Sequence, residues 1–231
     1  DATTYRSTTK YWNRTQTATL NYIKSINDHD FGVLLGAEQY YWNVKGFNAS
    51  RTGLLDLSLP DFTAALDKLD PVLGGTPEQD YAVASLFGRI NYSYKQRYLL
   101  EMNLRRDGSS RFGPEYRWGT FPSFSAAWRI NEEEFMDDYN DVFSNLKLRA
   151  SWGQLGNTTS GYYEWQATYG SVNYSFDGNV FDGLRQGKIA NPLLHWEAVT
   201  SSNIGLDVGI LNNRLNLELD VYSRLTKGIL A

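Results

Sequence analysis

The sequence predicts an all-β chain whose antiparallel, up-and-down strands form a segment of a transmembrane β-barrel. Three observations support this prediction. Apolar and polar residues alternate with period two, long and short connections alternate along the chain, and one side of the strands is strongly charged. A half-buried soluble sheet also alternates, so the period alone does not separate a barrel from a soluble sandwich.

The alternation is clearest in Tyr98–Asp107, Leu146–Gly153 and Leu215–Leu225. Less regular strands are predicted at Thr15–Ile26, Phe31–Trp42, Ala82–Tyr94, Thr120–Ile130 and Trp196–Gly209. These stretches make about eight strands. Their lengths are close to the ~9–11 residues that a strand needs to cross a membrane and exceed the ~5–6 residues of most globular strands. A short helix is predicted at Asp61–Leu69 and a single helical turn at Glu132–Met136.

The connections between the predicted strands differ in length in a regular way. The long ones are Asn43–Asp80, Gly108–Gly119 and Asn157–His195. The short ones are Asn27–Asp30, Lys95–Gln96 and Ile210–Asn213, and Asn131–Asn145 is of medium length. Because alternate connections of an up-and-down sheet emerge at the same end, one end carries long loops and the other carries turns. Outer-membrane barrels have this asymmetry, with long extracellular loops and short periplasmic turns.

The polar side of the strands carries too much charge for a protein core. Its charged residues are Glu101, Arg105, Asp107, Arg129, Lys147, Arg149, Glu197, Asp207, Glu218, Asp220 and Arg224. Such groups need water or partners, and a wide lumen supplies both. Aromatic residues near the strand ends resemble the girdles at the two membrane interfaces. They are Tyr92, Tyr94, Tyr98, Trp118, Trp128, Trp152, Trp196 and Tyr222.

The composition excludes several functional classes. The chain has no cysteine and only two histidines, which argues against a disulfide scaffold, thiol catalysis or a metal site. Its net charge of −4 argues against a nucleic-acid partner. No stretch approaches the ~20 apolar residues of a membrane helix. No nucleophile–base pair and no phosphate-binding glycine loop is recognisable, so we expect neither an enzyme nor a cofactor.

Four motifs, in this order, resemble those of one protein family. They are Arg97–Phe112, Trp118–Trp128, Leu146–Gly153 followed by Gly156 and Asn157, and Asn191–Glu197 followed by Asn203–Asp207. Together they resemble the SusC/RagA class of TonB-dependent outer-membrane transporters of Bacteroidota. The resemblance extends from about Phe31 to the end of the chain.

The resemblance implies a fold, a location and partners. Members of the class form a barrel of about 22 strands around an N-terminal plug. A SusD-like lipoprotein covers the extracellular mouth, and the TonB complex drives import of glycans or peptides across the outer membrane. Residues 1–231 would then be a partial barrel domain of about eight strands, in contact with lipid. We expect no plug, no signal peptide and no C-terminal barrel strand within this sequence.

Candidate contact residues lie at the predicted outer mouth. Arg105, Asp107 and Arg111 could form a charged cluster that touches substrate or plug, or they could pair with neighbouring strands to hold the loop. The pattern favours the second, structural role. In the long loops, Trp42, Tyr163, Trp165 and Tyr169 are candidates for stacking on sugar rings, although such residues also bind peptides, contact a lid or pack the loop itself. A soluble or surface-attached all-β glycan-binding module remains the alternative function.

Overall fold

The strands account for most of the chain. The computed structural model describes residues 2–56, 58–59, 61–65, 70–76, 78–139, 141–158 and 161–229. Its strands are β1 (Thr3–Ile26), β2 (His29–Thr52), β3 (Val72–Gly74), β4 (Gln79–Tyr94), β5 (Tyr98–Ser109), β6 (Trp118–Arg129), β7 (Phe143–Asn157), β8 (Thr168–Phe176), β9 (Asn179–Lys188), β10 (Glu197–Ile210) and β11 (Leu215–Lys227). The all-β prediction is confirmed.

The chain divides into two compact units, described separately here. In the larger unit, residues 16–39 and 83 onward, the strands lie in the order β1-β2-β4-β5-β6-β7-β10-β11. Neighbours from β4 to β11 pair antiparallel, for example Met102 with Phe124 and Leu206 with Leu148. All eight predicted strands are therefore present, as an open sheet and not a closed barrel.

The smaller unit contains residues 1–15 and 40–82. Within it, β3 pairs antiparallel with β2, from Asn48 opposite Gly74 to Ser50 opposite Val72. Here β2 continues through residues predicted as loop, up to Thr52, and β1 starts at Thr3 instead of Thr15. These two strands extend well beyond the length that crosses a membrane.

The sheet of the larger unit has an aliphatic face and a polar face. On β5, the side chains of Leu100, Met102 and Leu104 are 43%, 49% and 54% exposed. The residues between them, such as Glu101 and Asn103, are half-buried on the opposite face. Within the described residues no second layer covers the aliphatic face, which is the arrangement expected of a barrel wall and not of a sandwich.

Tight turns close one end of the sheet. Lys95 and Gln96 are the central residues of the turn between β4 and β5, which the Arg97 N–H closes by donating to the Tyr94 backbone oxygen at 3.0 Å. Their φ angles of 50° and 55° are left-handed, a conformation that matches the twist of the flanking strands. Next to this turn, the rings of Tyr94 and Tyr98 lie 6.3 Å apart, and those of Tyr98 and Trp128 are stacked at 6.5 Å. This aromatic row is where the sequence predicted a girdle.

One carboxylate, that of Glu133, attaches the connection after β6 to this aromatic row. Glu133 accepts hydrogen bonds from the Tyr98 hydroxyl at 2.5 Å, the Trp128 indole nitrogen at 2.9 Å and Arg97 at 3.1 Å. The hydrogen bond from Tyr98 is the largest of the effects that hold the pKa of Glu133 below its usual value. The aromatic row and the turn therefore form one unit at the short-turn end.

Three segments differ from the sequence prediction. The loop 157–195 contains the hairpin β8–β9, which the sequence did not indicate. The predicted helix 61–69 is a 3₁₀ turn at Phe62–Ala64, and residues 66–69 lie outside the described residues. Where a single helical turn was predicted at Glu132–Met136, the structure has two 3₁₀ segments, Ile130–Glu132 and Glu134–Tyr139. Among the described residues, no helix is long and apolar enough to cross a membrane.

Candidate functional site

The polar face of the larger unit carries a cluster centred on Arg105. The Arg105 Nε atom lies 2.7 Å from Oδ1 of Asp107, and its Nη2 atom donates to Ser85 Oγ at 2.8 Å and to Glu38 Oε1 at 3.4 Å. Thr17 donates to the other oxygen of Glu38 at 3.1 Å. One guanidinium thus joins side chains from β2, β4 and β5, and Glu38 extends the cluster to Thr17 on β1.

This cluster is both a structural tie and a charged surface. The Arg105 guanidinium also lies 5.3 Å from the ring centroid of Phe87, so Nε, Nη2 and one face of the group are engaged by the protein. Asp107 is buried, and the two carboxylates exceed the single cation by one negative charge. The contacts hold neighbouring strands together and leave a net negative charge on the polar face, and contact of these residues with substrate stays a prediction.

A second charged cluster spans β7, β10 and β11. Asp207 lies 2.9 Å from Lys147 Nζ and 2.9 Å from Arg149 Nε, and Arg149 Nη2 reaches Asp220 at 2.8 Å. Gly205 lies between Arg149 and Asp220 on β10, and a Cβ atom there would come within 2.6 Å of Arg149 Cζ. Because Gly205 has no side chain, the Arg149 guanidinium can cross β10 to reach Asp220.

A groove of about 620 Å³ lies near these charges on the sheet. Its inner-face lining includes the small side chains Ser125, Ala127 and Ser151, flanked by charged ones: Arg89, Glu101, Lys147 and Arg149. Small residues between charged ones create a concave surface, which apolar side chains such as Phe31 and Leu99 also line. Its volume lies within the ~300–1,000 Å³ of small-ligand pockets, large enough for a sugar ring or an amino-acid side chain.

At the loop end, three aromatic rings pack together. Phe112 is fully buried, with its ring centroid 5.3 Å from that of Trp196, and Phe121 lies 5.4 Å from the same indole. The indole nitrogen of Trp196 donates to the backbone oxygen of Arg117 at 3.0 Å. Trp196, predicted as a girdle residue, instead belongs to this cluster, because residues from three separate motifs converge on it.

Arg111 and Asn157 hold the ends of the adjoining loops. Arg111 Nη1 donates to the backbone oxygen of Thr158 at 3.3 Å, and the guanidinium lies 4.7 Å from the ring centroid of Tyr162. Asn157 donates to the buried carboxylate of Glu197 at 3.2 Å. The contacts of Arg111 likewise join neighbouring segments, and its contact with substrate stays a prediction.

The loop that follows is organised by Glu164. Its carboxylate accepts from the backbone N–H of Gly161 at 2.9 Å and from Lys188 Nζ at 3.1 Å. The backbone hydrogen bond from Gly161, followed by that from Lys188, lowers the pKa of Glu164 from its usual value. Neighbouring Tyr163 has φ of +58°, a left-handed conformation unusual for an aromatic residue, and Trp165 is half-buried beside Gly113.

The hairpin β8–β9 exposes apolar side chains. Tyr169, a predicted contact residue, is 66% exposed at its base, and Phe176 is 75% exposed near its tip. Val180 and Leu184 on β9 are similarly exposed. Because isolated two-stranded hairpins are marginally stable in water, this surface is expected to have a partner or a ligand.

Trp42, the remaining candidate, lies on β2 in the smaller unit. Its ring centroid is 5.9 Å from that of Tyr81, which also lies 5.5 Å from Tyr40. Asn43 next to it donates to Glu78 at 3.0 Å. The sequence predicted Trp42 at the root of a loop, but β2 continues to Thr52, so Trp42 lies within this strand. Its contact with a ligand stays a prediction.

The candidate residues thus fall into distinct places. Arg105 and Asp107 form an ion pair on the polar face, Arg111 anchors a loop, and Tyr163, Trp165 and Tyr169 lie along the segment after β7. Sequence reasoning did not identify the partners of Arg105, which are Glu38 and Ser85. In the described residues, no group of three or more His, Cys, Asp or Glu side chains could hold a metal ion.

Comparison with known proteins gives a consistent result. The family model described as "TonB dependent receptor-like, beta-barrel" matches residues 1–231. The chain is 36% identical over 216 residues to TonB-dependent receptor SusC of Bacteroides thetaiotaomicron, covering 91% of this chain and 21% of that protein. It is 39% identical over 156 residues to TonB-dependent receptor P39 of Formosa agariphila, covering 68% of this chain and 15% of that protein.

Solved structures give the same result. The chain matches a structure of the RagAB peptide transporter with a TM-score of 0.86 and 30% identity, covering 96% of this chain and 24% of the matched chain. A structure of the RagAB peptide importer in the "open-open" state matches with a TM-score of 0.76 and 29% identity, with the same coverage. The chain spans about a fifth of the length of the curated relatives it matches.

Proposed function

Because the chain belongs to the TonB-dependent receptor β-barrel family, whose SusC and RagA members are outer-membrane proteins, we propose that it forms one wall section of a nutrient importer. The nutrient is a bulky polar oligomer, an oligosaccharide or a peptide, that passes through the lumen of the parent barrel. The aliphatic face contacts lipid and the polar face lines the lumen. Family membership disfavours the soluble glycan-binding module.

The division of the sheet into two faces is the observation that carries this proposal. The inner face combines an acidic patch at Arg105, an ion network at Arg149 and a groove lined by small side chains. Hydroxyl and amide groups of a polar oligomer exchange hydrogen bonds readily with such a surface while water stays present. The proposed role of this chain is passage and containment of the substrate, and not catalysis.

Partners complete the proposal. By analogy with the SusC/RagA class, we propose that a SusD-like lipoprotein closes the extracellular mouth of the barrel. The TonB complex would supply energy through other parts of the parent protein. The exposed side chains of β8–β9, among them Tyr169 and Phe176, are proposed to face that lipoprotein or the captured substrate. This surface is apolar and aromatic, as is typical of binding hot spots.

The first experiment tests orientation and needs only the parent protein in intact cells. Any other accessible cysteine of the parent protein is replaced, and single cysteines are introduced as Tyr169→Cys on the hairpin and Asn212→Cys in a short turn. A membrane-impermeant thiol reagent should label the first from outside and the second only after the outer membrane is permeabilised. Labelling of Asn212→Cys alone in intact cells would overturn the orientation.

The second experiment tests transport. Cells that lack the parent gene are complemented with wild-type protein, with Tyr169→Ala or with Val142→Ala, an exposed position at the short-turn end of the sheet. Uptake of fluorescent oligosaccharides or of fluorescent oligopeptides should be restored by wild type and Val142→Ala and reduced by Tyr169→Ala. Equal uptake of both substrate classes with and without the gene would contradict the proposed function.

A further inference from the structure

Arg106 lies on the aliphatic face of β5, one position beyond the last leucine of that face. Along the strand, Leu100, Met102, Leu104 and Arg106 point to the same side because strand side chains alternate. Eight residues separate Tyr98 from Arg106, which is a rise of ~26 Å at ~3.3 Å per residue, or roughly 20 Å along the membrane normal for a tilt of ~40°. This is close to the ~25 Å apolar band of outer-membrane barrels, so Arg106 marks its loop-side border.

Trp118 lies beside this arginine. The Arg106 guanidinium carbon is 5.5 Å from the centroid of the Trp118 ring, and the indole is 46% exposed. Gly108 pairs with Trp118 across β5 and β6, and a Cβ atom on Gly108 would lie 2.8 Å from the indole. The absence of a side chain at Gly108 therefore lets the indole lie across β5 next to Arg106.

The two neighbouring arginines of this strand have opposite environments. Arg105, on the polar face, is paired with Asp107, Glu38 and Ser85. Arg106 is exposed, and within the described part of the chain the structure gives its side chain a single polar interaction, the one with Trp118. No carboxylate of the described residues pairs with this guanidinium, which lies at the border of the apolar band. Its N–H donors are therefore available to groups at the level of the lipid headgroups.

We propose that Arg106 and Trp118 form a site on the outer surface for the phosphate of an outer-leaflet glycolipid, with lipid A as the occupant. Guanidinium forks match phosphate oxygens in a bidentate geometry, and indole rings favour the headgroup level of a membrane. The acyl chains of the same lipid would lie along the exposed Leu104 and Met102, which continue the surface below. The inference rests on the proposed orientation, with the loop end outside.

The test measures lipid binding to the purified parent protein in detergent by native mass spectrometry. The probes are monophosphoryl lipid A and the same lipid after enzymatic removal of its phosphate. Wild type should retain the phosphorylated lipid, and Arg106→Gln should bind it about tenfold more weakly, the loss expected for one charge-assisted contact. Arg106→Lys should retain part of the affinity, because the charge remains while the fork is lost.

Two further variants make the result specific. Arg224→Gln removes an exposed arginine of the polar face on β11 and should leave lipid binding at the wild-type level. Gly108→Ala leaves Arg106 in place but displaces the indole, and it should weaken binding. Heat-dependent mobility on a gel shows which variants remain folded barrels.

The inference is overturned if folded Arg106→Gln binds as tightly as wild type, or if wild type binds both lipid forms equally. Because no substrate is present, this outcome leaves the importer proposal intact. Conversely, a parent protein that binds phosphorylated lipid A through Arg106 but restores no uptake would contradict the importer proposal alone.

Discussion

The guanidinium of Arg149 on β7 donates to the carboxylate of Asp220 on β11 at 2.8 Å, although β10 lies between the two strands. The contact crosses β10 at Gly205, which pairs with Arg149 on one side and with Asp220 on the other. On the way, the same guanidinium bonds Asp207 at 2.9 Å. Three consecutive strands of the polar face are thereby joined by one side chain, in addition to their backbone ladders.

The contact predicts that substitution of Gly205 disturbs this ion network. In Gly205→Ala the new methyl group would lie 2.6 Å from Arg149 Cζ and 2.8 Å from Asp220 Oδ1, so the ion pair must shift or break. We expect a lower thermal unfolding temperature for the parent protein in detergent. The matched control is Gly32→Ala on β2, where the added methyl group would meet Asn91 at an ordinary 3.6 Å. Equal losses in the two variants would argue against a special role of Gly205.

The aromatic cluster at the loop end predicts a large stability cost for Phe112→Ala. The ring is fully buried between the loop and Trp196, and removing such a ring typically costs about 3–5 kcal/mol. We expect faster amide hydrogen exchange in residues 109–117 and 191–197, because both segments pack on this ring. Phe176→Ala, at a position 75% exposed, should leave exchange in these segments unchanged. Unchanged exchange in Phe112→Ala would show that the cluster does not anchor the loops.

The lowered pKa of Glu164 predicts that its loop loosens in acid. A carboxylate with a pKa lower in the folded than in the unfolded chain stabilises the folded state fully above the unfolded pKa, here 4.5. That contribution is lost as the pH falls through the folded pKa. Hydrogen exchange near Gly161 and Lys188, corrected for its intrinsic pH dependence, should therefore increase below pH 4.5. In Glu164→Gln the loop should already be looser at pH 7 and lack this pH dependence.

The two faces predict opposite tolerance of charge on neighbouring residues of β5. Met102 lies midway between Tyr98 and Arg106 on the aliphatic face, so Met102→Arg places a cation near the bilayer centre at a cost of about 2–4 kcal/mol. Asn103→Arg places the same charge on the polar face beside Glu101 and should have little effect. Denaturant unfolding of the parent protein in lipid vesicles measures both. Similar losses for the two variants would contradict the assignment of the faces.

Sequence periodicity predicted the membrane-crossing parts of the fold but not the extensions. The start of β5 at Tyr98 agrees with the prediction because lipid and lumen impose opposite polarity on alternate residues there. Residues 3–14 of β1 are mostly exposed and polar or amphipathic on both sides, so no alternation reveals that strand. The hairpin β8–β9 was not predicted for a similar reason, because both of its faces are exposed and its sequence does not alternate clearly.

The contacts within the site were less accessible to sequence reasoning. The pattern placed Arg105 and Asp107 on one face, two residues apart, and their ion pair follows from that spacing. Glu38 lies 67 residues before Arg105, so their contact depends on the order of strands in the sheet. Trp196 was predicted in an aromatic girdle because it lies near a strand end. In the structure its ring packs instead on Phe112 and Phe121 in the loop cluster.

One measurement tests the central claim most directly, that this sheet separates lipid from a water-filled lumen. In the parent protein, single cysteines replace Glu101, Met102, Asn103 and Leu104 in turn, each labelled with a small fluorophore and reconstituted with brominated lipids. Quenching by the lipid should be strong at 102 and 104 and weak at 101 and 103. Uniform quenching, or strong quenching at 101 and 103, would contradict the account.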